Sequence, residues 1–167
     1  MGLVGLGRIG SAVANIAQAV GMKVVAYTSK RQEELPGYIK KAGMDEIFMQ
    51  SDVVSLHCPL TEDTRYLVDE NRLRMVKKNA ILINTGRGPL IDEAAVANAL
   101  NQGKLGAYAA DVLSVEPAQA DNPLLSAPRV QLTPHIAWAT REARERLMQI
   151  CALNIAHFIE GNPQNTV

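Results

Sequence analysis

Short β-branched or wholly apolar runs alternate along this chain with segments of helical spacing, and that alternation most restricts what it can fold into. MKVVAYT (22–28), DVVSLH (52–57), AILIN (80–84), LGAYAAD (105–111) and VQLT (130–133) read as strands, with Leu3 and Val4 the stub of another. Helices are predicted from about Ile9 to Val20, closed by Gly21, and over DENRLRMV (69–76). A third follows Asp92, a good N-cap, and closes at Gly103; a fourth runs from Thr140 to about Glu160. In that last helix Leu147, Ile150, Cys151, Ile155 and Phe158 keep helical spacing. Residues 29–46 read as polar and irregular, because Pro36, Gly37 and Gly43 limit any helix to one or two turns. Pro117–Pro128 reads as a Pro-rich loop. Buried strands separated by helices imply an α/β fold with a doubly wound parallel sheet, as a single domain over residues 1–167. Ligands in such folds sit at the carboxyl ends of the strands, so the chemistry is expected just after them.

Composition removes several function classes. Lys plus Arg equals Asp plus Glu at 17 each, which leaves no bulk basic field for nucleic acid. Cys58 and Cys151 have no spacing motif and fit a reducing, cytoplasmic compartment without a disulfide framework. No apolar stretch approaches the roughly 18 residues of a membrane span, and residues 1–21 lack a signal peptide's basic start. His57, Cys58 and His135 match no metal-ligand spacing, and no G-x-S-x-G marks a nucleophilic serine.

The turn after the first strand reads GLGRIG, with Gly5, Gly7 and Gly10 as G-x-G-x-x-G. Alone the motif is weak; between a strand and a helix it points to a dinucleotide in a Rossmann-type unit. Gly5 permits the tight turn, Gly7 admits the pyrophosphate, and Gly10 lets helix and strand approach. The first helical residues, Arg8 and Ile9, then offer free N–H groups to the phosphates. The next strand should end in an acid if the cofactor is NAD. It ends instead in Thr28, Ser29, Lys30 and Arg31, two hydroxyls beside two cations, which favours NADP over NAD. A solvated basic loop would leave NAD equally admissible.

Three further strand ends carry chemistry. Arg87 lies in NTGRG with Thr85 and Gly86, where flanking glycines let a guanidinium turn over the strand end toward a carboxylate. Asp111 ends a strand, either as a turn cap or as an acceptor for a nicotinamide carboxamide. Glu116 follows in DVLSVEP. His135, in TPHIAWAT, can supply a proton near neutral pH, and a carboxylate such as Glu116 beside it would favour the imidazolium. His57 ends a strand next to Cys58 and Pro59, placing it at the cofactor cleft; His157, on the last helix, reads as structural.

Together GLGRIG, SLHCPLTEDT, NTGRG, DVLSVEP and TPHIAWAT, in that order across nearly the whole chain, resemble the D-2-hydroxyacid dehydrogenases. Pro117–Leu125 and Trp138 are most similar to the glycerate dehydrogenases and hydroxypyruvate reductases among them. The resemblance implies NAD(P)-dependent hydride transfer between a nicotinamide and a 2-oxo or 2-hydroxy acid. Arg87 would bind the substrate carboxylate and carbonyl, His135 would donate the proton, and Glu116 would pair with His135. Asp111 would hold the carboxamide, and Pro59, Thr64, Thr85 and Gly86 would face the cofactor. Trp138 would line the substrate cleft or pack at a subunit contact. The presence of Glu116 separates the chain from formate dehydrogenases. Family members are roughly twice this length, with a substrate domain built from flanking segments. The resemblance therefore implies a nucleotide-binding domain, dimeric and with little activity alone. The alternative is a non-enzymatic NAD(P)-binding dimerisation module similar to the C-terminal-binding corepressors.

Overall fold

Seven strands form one all-parallel sheet in the computed structural model, which describes residues 1–166. They are β1 (Gly2–Val4), β2 (Val24–Tyr27), β3 (Ile39–Lys41), β4 (Val53–Leu56), β5 (Ile81–Asn84), β6 (Ala107–Ala110) and β7 (Val130–Leu132). Their spatial order is β3-β2-β1-β4-β5-β6-β7, so the winding reverses between β1 and β4. Four helices belong to the same unit, Met1–Pro134: α1 (Arg8–Ala19), α2 (Met44–Gln50), α3 (Glu70–Met75) and α4 (Glu93–Asn101). A second unit begins at His135 and contains α5 (Arg141–Ile159).

Alternation along the strands fills both faces of the sheet. In β1, Leu3 packs with Ala14 and Ala17 of α1, whereas the next residue, Val4, packs in the larger core with Phe48, Leu56 and Leu82. The helix ends follow local chemistry. Asp69 and Asp92 accept from the backbone N–H groups of Arg72 and Ala95, at 2.9 and 3.0 Å, and so start α3 and α4. Gly21 and Gly103 take positive φ just beyond α1 and α4, where a left-handed residue ends a helix. Thr140 caps α5 through the Ala143 N–H at 3.2 Å.

Two expectations change. Residues 29–46 are not irregular throughout: they contain a 3₁₀ turn (Gln32–Glu34), the edge strand β3 and the start of α2. β3 has one buried residue, Ile39, followed by two exposed lysines, so it lacks an apolar run; pairing with β2 creates it. The apolar stripe of α5 is not a buried face. Leu147, Ile150, Cys151, Ile155 and Phe158 are all exposed.

Candidate active site

Strand register gathers the site. Tyr27, Val4, Leu56, Asn84, Ala110 and Leu132 are paired across the sheet as one row, and each is the last residue of its strand. The residues immediately after them are Thr28, Gly5, His57, Thr85, Asp111 and Thr133. Five of those six are among the residues singled out from sequence, brought to one edge by pairing alone.

The glycine turn and the β4 end meet at the reversal point. Gly5 has φ +97°, and a Cβ there would lie 2.6 Å from the His57 carbonyl oxygen. A Cβ on Gly10 would lie 2.3 Å from the Gly5 carbonyl oxygen, so these two glycines serve packing. Gly7 differs: a Cβ there would meet nothing within 4 Å, and the residue is exposed. α1 begins at Arg8 with no side-chain cap and no acid in its first turn, whereas α2 to α5 all have an acid in that turn and α3 to α5 a capping side chain as well. An open concavity over uncapped helical N–H groups fits the pyrophosphate of a dinucleotide.

Beside this turn lies a cleft of about 660 Å³ lined by Ile9, His57, Cys58 and Pro59 on one side and Thr85, Gly86 and Arg87 on the other. Leu60, which composition gave no reason to choose, lines it too. The His57 ring is half-buried and shares a 2.9 Å hydrogen bond with Ser55 Oγ; burial lowers its pKa, favouring the neutral imidazole. Burial also pushes the Cys58 thiol up, which keeps it protonated and unreactive. The Thr64 hydroxyl donates to the Pro59 carbonyl at 2.7 Å and accepts from the Thr61 N–H at 2.7 Å, holding the loop beyond the cleft.

Arg87 is exposed on a loop fixed from below by Asn84, which is fully buried. Asn84 Oδ1 accepts from the Gly86 N–H at 3.1 Å and its Nδ2 donates to the Arg87 carbonyl at 2.9 Å. Asp111 is buried and accepts from the Thr133 hydroxyl, and its N–H donates to the Asn84 carbonyl at 3.1 Å. Glu116 lies on the next loop, where its carboxylate accepts from the Leu113 N–H at 2.9 Å. A Cβ on Gly88 would lie 2.0 Å from the Leu113 carbonyl carbon, so the Arg87 and Glu116 loops touch backbone to backbone.

At the β2 end, Thr28 Oγ1 accepts from the Lys30 N–H at 3.3 Å. Arg31 pairs with Glu34 at 3.2 Å, and its backbone N–H together with its side chain holds the Glu34 carboxyl below its usual range. Ser29 is exposed. Lys41, at the end of β3, donates to the Lys30 carbonyl at 2.6 Å and adds a third cation here. Its strand has no apolar run, so nothing in the sequence pattern places Lys41 at a strand end.

His135 opens the second unit with φ +54°, a left-handed conformation uncommon outside glycine. The Trp138 indole N–H donates to the His135 carbonyl at 3.0 Å, so this tryptophan braces the histidine backbone. His157 lies 3.7 Å from Glu160 on α5, in a structural contact.

Residues 1–137 match the family described as D-isomer specific 2-hydroxyacid dehydrogenase, NAD binding domain. A hydroxypyruvate reductase of Blautia hydrogenotrophica is 45% identical over 168 residues, covering 100% of this chain and 52% of that protein. An acyclic imino acid reductase solved with NADPH and D-Arg superposes with a TM-score of 0.89 at 37% identity, over 99% of this chain and 52% of that one. A D-lactate dehydrogenase from Lactobacillus jensenii, solved with NAD+, gives a TM-score of 0.90 at 33% identity, over 99% of this chain and 54% of that one. The chain spans about half the length of the curated relatives it matches. Among the described residues no helix is long and apolar enough to cross a membrane. A reversal-point cleft that joins a dinucleotide turn to an arginine loop, in a sequence aligned over this length, leaves one assignment: the chain belongs to the D-isomer specific 2-hydroxyacid dehydrogenases, through their NAD-binding domain.

Proposed function

We propose that this chain is the coenzyme-binding domain of an NAD(P)-dependent reductase of short 2-oxo acids, hydroxypyruvate and glyoxylate first, giving D-glycerate and glycolate. One observation carries the reading: Arg87 opens into the same cleft as Ile9, at the start of the dinucleotide helix. Arg87 could hold a substrate carboxylate in the cleft that the dinucleotide helix opens into.

When bound, the dinucleotide supplies or accepts a hydride at its nicotinamide C4. This chain's residues do the rest. Gly7, Arg8 and Ile9 present backbone to the pyrophosphate. Asp111, buried and held by the Thr133 hydroxyl, would accept from the nicotinamide carboxamide. Arg87 grips the substrate carboxylate and polarises the carbonyl at C2. His135 is assigned the proton that goes to the carbonyl oxygen, and Glu116 the role of the accompanying acid. The left-handed backbone of His135 supports this role, since strain of this kind collects at functional residues.

NADPH is the better cofactor in this reading. Lys30, Arg31 and Lys41 share the ends of β2 and β3, and no acid ends β2. Glu34 offsets one of these charges. The free thiols of Cys58 and Cys151 suit a cytoplasmic setting. The substrate domain of the family is expected to complete the site, and the chain is expected to self-associate as a homodimer.

The test measures NADPH and NADH affinity, then hydroxypyruvate and glyoxylate reduction, on this chain and on one extended to its relatives' length. Turnover in the extended form, reduced about 100-fold or more by Arg87→Ala, is expected. Absence of cofactor binding in both forms overturns the reading. Arg31→Ala should weaken NADPH far more than NADH; equal losses count against a 2′-phosphate site.

A further inference from the structure

From the contacts of α4 we infer that Glu93 is a positioning residue that sets where Glu116 sits. Glu93 is half-buried in the first turn of α4, directly after the Asp92 cap. Its two carboxylate oxygens have separate partners. Oε1 accepts from the Ser114 N–H at 2.8 Å, and Oε2 accepts from Asn122 Nδ2 at 2.9 Å. Asn122 in turn accepts from the Leu124 N–H at 2.9 Å through its Oδ1, starting the 3₁₀ turn over Pro123–Leu125. The loop between these points carries Glu116, whose carboxylate folds back onto the Leu113 N–H.

Glu93 therefore clamps the loop at both ends. Ser114 also lies against the arginine loop, since its backbone nitrogen would be 2.3 Å from a Cβ on Gly88. Fixing Ser114 thus fixes the Glu116 turn relative to the backbone that bears Arg87. Between these two bonds, Ser114 to Asp121 are exposed. A charge-assisted pair of bonds at its two ends constrains its course. The catalytic consequence rests on the reductase reading above; the clamp itself does not.

The donor and acceptor pattern provides a reversal test. Glu93→Gln leaves one neutral acceptor oxygen for two donors, so its Nε2 stands against either the Ser114 N–H or the Asn122 amide and both bonds weaken. Adding Asn122→Asp restores an acceptor there while retaining the cap on Leu124. Amide exchange at Ser114, followed in the full chain by NMR, is expected to quicken about tenfold in E93Q and to return in E93Q/N122D. Amides of β4 and β5 should not change. In the reductase assay on the extended form, kcat is expected to fall about tenfold in E93Q, with the cofactor KM unmoved, and to recover in E93Q/N122D. In E116Q, adding E93Q should cost little more, because the group being positioned is already gone.

Unchanged Ser114 exchange in E93Q, or no return in the double variant, overturns the clamp. Faster exchange with wild-type kcat, in an enzyme that E116Q slows, overturns the positioning role. If the extended form reduces no 2-oxo acid, or E116Q leaves its kcat unchanged, the reductase reading fails alone, and exchange at Ser114 decides the clamp.

Discussion

The three glycines of the first turn have different jobs, and one added methyl group tells them apart. At Gly10 the methyl would strike the Gly5 carbonyl, and at Gly5 it would strike the His57 carbonyl in a backbone that already has positive φ. Gly5→Ala and Gly10→Ala are each expected to cost about 2 kcal/mol or more, read by urea denaturation. At Gly7 the methyl would enter open space. Gly7→Ala should therefore change stability by less than about 1 kcal/mol, the N-cap difference, yet weaken NAD(P)H at least about tenfold by titration. Equal stability losses at Gly7 and Gly10 would show that Gly7 is a packing residue. His57 yields a pH prediction. Burial lowers its pKa, so the unfolded chain takes a proton more readily than the folded one. Its contribution is full above about pH 6.5 and is lost as pH falls through the folded value. Wild-type stability should decline below about pH 6.5, before carboxylates titrate near pH 4, and His57→Asn should flatten that part of the curve.

Elements with a strong local signal were legible from sequence, and those made by pairing were not. α3, α4 and α5 begin at Asp69, Asp92 and Thr140 because each side chain caps its own helix, a contact spanning three residues. β3 has no such signal: Ile39 is its single buried residue, and the strand exists through its bonds to β2. Lys41 was lost with it. The candidate site was legible where motifs sit at strand ends, since register turns five separate motifs into one row. The supports beneath were not, because Asn84 looks like the last residue of an apolar strand and nothing in AILIN shows where its amide points. The structure puts both ends of that amide to work on the arginine loop. Asn84→Asp keeps the acceptor for Gly86 but faces a buried carboxylate oxygen to the Arg87 carbonyl. It should cost more than Asn84→Ala, itself expected at about 1–3 kcal/mol, and both should lower activity with Arg87 intact. A denaturation series ranking Asp below Ala in stability checks this; the reverse order would mean that the amide does not hold the loop.

At the scale of the whole molecule, two apolar faces need partners. α5 has no buried residue, while Leu147, Met148, Leu153, Ile155, Phe158 and Ile159 are between 56% and 78% exposed. α1 separately leaves Ile16 and Val20, one helical turn apart, at 65% and 70% exposed. A solvated helix of 19 residues is marginal in water, so α5 is expected to be stable through what covers it. The proposed homodimer would cover one of these faces, and charge substitution separates them. Ile16→Glu with Val20→Glu places two like charges on the exposed end of α1 and its C-cap, away from the buried Ala14 and Ala17, where they disturb no core. Phe158→Glu with Ile155→Glu does the same on α5. Sedimentation at micromolar concentration is expected to show a dimer for the parent chain. The pair that yields monomer, at a cost of about 1–3 kcal/mol per interface side chain, marks the face that is covered. Retained NADPH binding in that variant keeps the loss separate from unfolding, because the dinucleotide turn and Gly7 lie outside both substituted pairs. A monomeric parent chain at the same concentration would remove the dimer from the proposed function and leave cofactor binding to be judged by itself.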